Sequence, residues 1–146
     1  MKSKVTTIFA VLGLLLTLAM VSVSAQTPTG AQVNIPFDFA AGKANLKAGT
    51  YTITRASGTA LKLRSTDGKK TVLINAPLTI GSRDFKAGER LVFNLYGSEY
   101  FLSQVWLTVD VGRQLMTTSA ETNAARELAR KKSDKPQRVE IAVRSR

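Results

Sequence analysis

The sequence predicts an all-β domain, an antiparallel sandwich or an open barrel of about seven strands with one C-terminal helix. Three observations support this fold class. Apolar and polar residues alternate along several short segments, turn-forming residues separate these segments, and no helical pattern is interleaved with them before residue 118. Strands joined by short turns must bury one face of each sheet against another layer, and a sandwich or barrel does this.

The first strand is predicted by the segment Val33 to Phe39, in which every second residue is apolar and faces one way. Pro36 cannot donate a hydrogen bond to a neighbouring strand, so we expect this strand at a sheet edge or at a bulge. A further strand follows over residues 50–55.

Two hairpins are predicted next. Asp67-Gly68 is a type I′ turn signal between strands at residues 61–65 and 71–76. Gly97-Ser98-Glu99 joins residues 91–96 to 100–108, where both faces carry large side chains, so we expect this hairpin to be central and covered on both sides. Strict alternation would place Phe101 with Val105 on one face and Leu102 with Trp106 on the other, and Phe101 and Trp106 are expected to be core residues.

The chain ends in a predicted helix and a possible last strand. Thr118-x-x-Glu121 fits a capping box, in which the threonine oxygen accepts from the N3 amide and the glutamate reaches back to the cap. Alanine and leucine recur at helical spacing to about Lys132, and residues 138–143 could form a strand.

The N-terminus predicts export. Lys2 and Lys4 precede an uncharged apolar run, and Val23 and Ala25 fit signal-peptidase cleavage after Ala25. An uncleaved membrane anchor is the alternative, because the run approaches the length that spans a bilayer. We expect a periplasmic or extracellular protein with no membrane span after cleavage. Its organisation is then a signal peptide (1–25), a flexible leader (26–31), a β-domain (32–118) and a basic helix and tail (119–146) packed on or beside it.

Composition excludes several kinds of chemistry. The chain has neither cysteine nor histidine, which rules out disulfides, thiol nucleophiles, histidine bases and the usual zinc sites. We expect no cofactor and no metal, and a protein that is not an enzyme. Carboxylates are the remaining acid–base groups, and Asp38 between Phe37 and Phe39 is the best candidate among them. We prefer the simpler interpretation that Asp38 is an outward strand residue paired with a surface lysine.

The net charge of +11, which becomes +9 without residues 1–25, predicts attraction to polyanions. Export makes nucleic acid an improbable partner, so we expect anionic lipid or polysaccharide of the cell envelope. A cationic surface that only keeps the protein soluble is the alternative. The candidate contacts lie in the first hairpin and in the tail: Lys62, Arg64, Lys69, Lys70, Lys131, Lys132, Lys135, Arg138, Arg144 and Arg146.

A second hypothesis is a carbohydrate-binding module or a weak carboxylate-dependent hydrolase. Tyr96 and Tyr100 flank the second hairpin turn, where aromatic rings could stack on sugars. The hydrolase version would use Asp38. A structural or binding role at the envelope remains the first hypothesis.

The order of several motifs resembles a family of uncharacterised small secreted bacterial β-rich proteins. The motifs are Ile35-Pro36-Phe37-Asp38-Phe39, Ala48-Gly49-Thr50-Tyr51, Tyr96-Gly97 and Glu121 followed by Leu128-Ala129. Lys47 departs from the pattern, where proline would be expected. The resemblance implies a β-rich fold and export, and it implies no activity.

Overall fold

The computed structural model describes residues 30–82, 86–131 and 135–144. These residues form eleven strands and one helix, with the strands in two sheets that are not closed into a barrel. The predicted sandwich with one C-terminal helix is confirmed, although its strands are shorter and more numerous than predicted. The predicted signal segment lies outside the described residues, as do residues 26–29 of the predicted leader. None of the described helical residues makes an apolar segment long enough to cross a membrane.

The strands in chain order are β1 (Ala31–Ile35), β2 (Phe39–Ala41), β3 (Ala44–Leu46), β4 (Gly49–Arg55), β5 (Ala60–Ser65), β6 (Thr71–Asn75), β7 (Leu78–Gly81), β8 (Arg90–Tyr96), β9 (Glu99–Trp106), β10 (Val111–Gln114) and β11 (Gln137–Ala142). The chain crosses between the two sheets three times: β1 lies in the first sheet, β2 and β3 in the second, β4 to β6 in the first, and β7 to β11 in the second. The first sheet has the order β1-β4-β5-β6, and the second has the order β11-β8-β9-β10-β7. In the second sheet β2 pairs with β3 and, in parallel, with the start of β9.

The core lies between the sheets. Ile53 and Leu63 from the first sheet and Leu91 and Phe93 from the second are almost completely buried in one apolar cluster. Phe93 makes edge-to-face contacts with Phe37 and Phe39, at ring-centroid distances of 5.2 and 5.5 Å. These contacts join the N-terminal segment to the second sheet.

The predicted first strand is two strands in different sheets. β1 ends at Ile35, and β2 begins at Phe39 in the other sheet. Pro36 lies at the crossing, where its missing N–H removes no ladder bond. The predicted alternation of apolar residues still holds on both sides of the crossing, because Val33, Ile35 and Phe39 all belong to the core. β1 is the end strand of the first sheet, as Pro36 predicted.

Both predicted hairpins are present, and the first has a different turn. Gly68 N–H donates to Ser65 O (2.9 Å), so Thr66 and Asp67 are the central turn residues and the turn is not Asp67-Gly68 type I′. Gly68 follows with φ 73°, which glycine adopts without strain. In the second hairpin Tyr96 pairs with Glu99 across Gly97-Ser98.

The predicted faces of β9 are wrong beyond a β-bulge. The register shifts between Val92 and Phe93, so that Leu102 pairs with Phe93 and Val105 with Leu91, leaving Ser103 as the extra residue. Leu102 and Val105 therefore share the core side. Phe101 and Trp106 are buried as predicted, but on the opposite side of the sheet.

That opposite side is covered by helix α1 (Ser119–Lys131). Thr118 caps it, since its Oγ1 accepts from Glu121 N–H (3.2 Å). The predicted reach of Glu121 back to the cap is replaced by contacts with the sheet. Its buried Oε1 accepts from Asn94 Nδ2 (2.9 Å) and from Tyr96 OH (3.4 Å). The possible last strand is present as β11, which pairs with β8 along its whole length. This strand therefore belongs to the β-domain.

Candidate functional site

The first candidate surface is the hairpin face, which we define by Lys62, Arg64, Lys69 and Lys70. Lys62 and Arg64 alternate with the buried residues of β5 and therefore point away from the core. Lys69 and Lys70 lie in the β5–β6 turn, and all four side chains are exposed. The alternation of β5 and the short turn bring these cations together.

The cations of the hairpin face are poorly neutralised. Asp67 contacts Lys69 at 3.9 Å between Oδ2 and Nζ. Among the described residues, Lys62, Arg64 and Lys70 form no ion pair. The hydroxyl of Ser65, followed by the N–H of Lys69, lowers the pKa of Asp67, so this carboxylate is ionised at neutral pH and fixed within the turn. Positive charge therefore predominates on this face.

A groove of about 720 Å³ opens beside the hairpin turn. Lys47, Lys69 and Lys70 line it together with the backbone of β4 and the side chain of Tyr51. Tyr51 OH donates to the backbone oxygen of Lys47 (2.7 Å) and so holds the backbone in place at this residue. Burial, followed by repulsion from Asp67 and Asp38, raises the pKa of Tyr51, so its hydroxyl remains a donor at neutral pH. Lys47 was not among the predicted contacts, although the Lys-Ala-Gly sequence before a strand marks its position at a turn.

The described tail cations do not all lie on one side of the sandwich. Arg138 pairs with Asn94, which faces α1, and Lys131 ends α1 on the same side of the second sheet. Arg144 is bound through its backbone to Gln32 (2.9 and 3.1 Å) at the edge where β1 meets the tail. Lys135, Arg138 and Arg144 are exposed, whereas Lys132 and Arg146 lie outside the described residues. Lys131 and Arg138 therefore lie on the opposite outer face of the sandwich from the hairpin cations. Arg144 differs, because its partner Gln32 is in register with Thr52 and Arg64 on the outer face of the first sheet.

Asp38 is held in an exposed ion pair. Its Oδ2 accepts from Lys47 Nζ (2.7 Å), and its Oδ1 accepts from Ala48 N–H (2.9 Å). The preferred interpretation of Asp38 as an outward residue paired with a surface lysine is therefore confirmed, although Asp38 lies in the crossing between β1 and β2 and not within a strand. The hydrogen bond from Lys47, then that from Ala48, holds the pKa of Asp38 below its usual 3.8. A carboxylate with a lowered pKa is a poor general acid at neutral pH.

The Asp38→Asn variant is expected to lose a pH-dependent part of the stability. Because the pKa of Asp38 is lower in the folded chain than in the unfolded chain, this contribution is complete above about pH 4 and disappears as pH falls through the folded-state value. Urea unfolding of both proteins between about pH 2 and pH 7 measures it. The stability difference should be constant near neutrality and shrink in acid. A difference that stays undiminished at the lowest pH would contradict the assignment.

Tyr96 and Tyr100 do not form one stacking platform. Tyr96 faces α1, where its hydroxyl contacts Glu121, and burial followed by that carboxylate raises its pKa. Tyr100 lies on the core side and stacks on Phe37 with ring centroids 3.7 Å apart. The edge of Tyr100 lines a groove of about 440 Å³ that also contains Asp38.

Within residues 30–82, 86–131 and 135–144, no three metal-ligating side chains lie together. No family model, no curated protein and no solved structure matches the chain. The resemblance to small secreted β-rich proteins therefore stays a prediction, and the site is interpreted from its own geometry.

Proposed function

We propose that the protein is an exported, non-enzymatic β-domain that binds anionic polymers or lipid headgroups of the cell envelope through its hairpin face. The observation that carries this proposal is the group of exposed, largely unpaired cations on one side of a rigid sheet. Lys62 and Arg64 are fixed two residues apart on β5, and Lys69 and Lys70 extend the same charge into the turn. The strand sets the spacing of the backbone at these cations, and their clustered charge attracts a polyanion.

The composition of the surrounding surface supports an extended anionic partner. The outward residues of β1, β4, β5 and β6 include no carboxylate, and threonine and asparagine side chains separate the cations: Asn34, Thr50, Thr52, Thr54, Thr71 and Asn75. Hydroxyl and amide groups donate hydrogen bonds to carboxylate or phosphate oxygens. A flat face of cations and small donors suits a repeating anion better than one small enclosed ligand.

Export is part of the proposal and rests on the N-terminal pattern of basic residues, apolar run and small residues before position 26. A binding role is favoured over catalysis because the chain lacks histidine and cysteine, and because the Asp38 carboxylate is occupied by Lys47 and Ala48. The same export predicts that the purified secreted protein has the mass of residues 26–146.

The test measures binding of the exported protein to vesicles containing phosphatidylglycerol and, separately, to polygalacturonate. We expect affinity to fall by about tenfold or more between about 50 and 200 mM salt, because screening and counterion release weaken multiple charge contacts. The two probes distinguish a lipid from a polysaccharide as the source of the anions. Vesicles of phosphatidylcholine alone should not bind.

The matched variants are Lys62→Glu with Arg64→Glu, and Lys131→Glu with Arg138→Glu. Both double changes alter the net charge equally, and each removes exposed cations from only one of the two outer faces. The proposal predicts a large loss for the first variant and a small loss for the second. Equal losses would mean that net charge alone drives binding, and no binding at about 50 mM salt to either probe would overturn the proposal.

A further inference from the structure

The outer edge of β6 is an open sheet edge. Within the described ranges, β6 pairs with β5 alone and ends the first sheet. At the other end of that sheet, Gln32 of β1 exchanges two backbone hydrogen bonds with Arg144. One side of the sandwich is therefore closed by the tail, while the β6 side is open.

The register shows which backbone groups of β6 face outward. Ser65 N–H donates to Lys70 O (2.8 Å) at the turn, and hydrogen-bonded pairs then alternate along the antiparallel ladder. Val72 and Ile74 consequently bond to β5. The backbone N–H and C=O groups of the other three residues point away from the sheet: Thr71, Leu73 and Asn75. These outward groups have the spacing that an added strand requires.

β6 lacks the usual protection of an edge strand. Its sequence, TVLIN, contains no proline and no charge, and its register with β5 has no bulge. Leu73 at its centre is 68% exposed, the largest exposed fraction among the large apolar side chains of the described residues. An apolar, regular and open edge is a pairing site for an extended segment.

A groove of about 690 Å³ runs beside this edge. Leu73, Ile74 and Asn75 line one side, and Met116 with the first residues of α1 lines the other. Met116 is also largely exposed. The groove therefore offers apolar contacts next to the outward backbone groups.

The positive charge around the edge of β6 favours an acidic segment as the added strand. Lys43 is the one charged residue that lines the groove in the described structure. Lys62 and Arg64 lie one strand away from β6, opposite Leu73 and Thr71, and Lys70 precedes β6. An acidic segment would lie within a Debye length of these cations, whereas a second copy of this basic chain would bring like charges together.

We propose that the open edge of β6 binds an extended acidic segment of a partner protein as a fifth strand of the first sheet. Backbone hydrogen bonds to Thr71, Leu73 and Asn75 hold the segment, and its apolar side chains face the groove, where they contact Ile74 and Met116. Its acidic side chains lie on the other face, beside Leu73, toward Lys62 and Arg64. Backbone pairing at the edge distinguishes this site from anion binding across the hairpin face, although both use the charge of Lys62 and Arg64.

The probe is a fluorescent, end-blocked peptide of about ten residues that alternates glutamate and valine, enough to span β6. We expect saturable binding by fluorescence anisotropy. The same peptide with lysine in place of glutamate should not bind, and N-methylation of alternate backbone nitrogens should abolish binding, because it removes the strand's donors.

The deciding variant is Leu73→Pro, with Leu73→Val as its matched control. Proline removes an N–H that faces away from β5, so the β5–β6 ladder keeps its bonds. Affinity for the peptide should fall by about tenfold or more in Leu73→Pro and stay within about threefold in Leu73→Val. Binding of polygalacturonate should be unchanged in both, so failure of this proposal is distinguishable from failure of the proposed function.

Amide hydrogen exchange of the unmodified protein gives a second test that needs no variant. Peptide should slow exchange at Thr71, Leu73 and Asn75, while Val72 and Ile74 are already protected by β5. Peptide binding that Leu73→Pro leaves intact, or that protects none of the three amides, would overturn the proposal. A dimer of the protein that Leu73→Pro dissociates would also overturn it, since the edge would then belong to a second copy.

Discussion

The Phe93→Ala variant is expected to lose about 3–5 kcal/mol of the free energy of unfolding. Phe93 is fully buried and packs edge-to-face on Phe37, which lies within the crossing between the sheets, and on Phe39, which begins β2. Removal of its ring leaves a cavity between the two layers and loses both aromatic contacts. Chemical denaturation followed by circular dichroism measures the change.

The matched control is Leu78→Ala. Leu78 is also a large apolar strand residue, but it is 53% exposed on the end strand β7. Its truncation should change the stability by about 0.5 kcal/mol or less, because little apolar surface returns to water. Similar losses in the two variants would show that Phe93 does not lie in the main core.

The Gly112→Ala variant is expected to cost about 1–3 kcal/mol through overpacking. Gly112 lies opposite Trp106 in the β9–β10 ladder, and a Cβ atom at position 112 would come within 2.5–2.7 Å of the indole ring. The ring has little room to move. Its Nε1 donates to Gln104 Oε1 (3.1 Å), and the Arg90 guanidinium lies 4.5 Å from the ring centroid.

Gly81→Ala is the control for this prediction. Gly81 is on the neighbouring strand β7, paired with Val111, and an added Cβ atom there meets no atom within 4 Å. The change should leave the free energy of unfolding unaltered or raise it by up to about 1 kcal/mol, because alanine lowers the conformational entropy of the unfolded chain. Trp106 is the only tryptophan, so its fluorescence reports directly on the contact. An unchanged stability and spectrum in Gly112→Ala would refute the close packing of this ring on the glycine.

Local patterns predicted the hairpins and the helix well. Gly68 and Gly97 lie in turns with positive φ, and Thr118 caps α1 as its spacing with Glu121 indicated. These features depend on residues a few positions apart, so their sequence carries most of the information that determines them. The turn type at Asp67-Gly68 was wrong, because the side chain and backbone contacts of Ser65 favour a longer turn.

Local patterns could not predict the features that depend on pairing between distant segments. The bulge at Ser103 inverts the faces that alternation assigned to the second half of β9. The crossing at Pro36 puts the two halves of one alternating segment into different sheets. In both cases the apolar residues still reach a buried side, so the pattern is satisfied by more than one pairing and tertiary contacts choose between them.

Some features of the candidate site could also be predicted from the sequence, and others required the structure. Alternation along β5 and the turn were enough to group Lys62, Arg64, Lys69 and Lys70, and the flanking pattern placed Asp38 outward beside a lysine. The identity of that lysine, Lys47, required the structure, because the antiparallel pairing of β2 with β3 brings the residue before β2 next to the residue after β3. The separation of Lys131 and Arg138 from the hairpin face also appears only in three dimensions.

The sequence by itself determined the all-β class, the two hairpins, the capped helix and the excess of positive charge. Each of these follows from residue type and short-range period, which act before the chain is compact. The structure decided for the sandwich over the open barrel. Only the tertiary structure decided the strand order, the closed β1 edge, the open β6 edge and the role of Glu121 against the sheet. These depend on which distant segments pair, and that choice is fixed by the burial and hydrogen bonding of the whole domain at once.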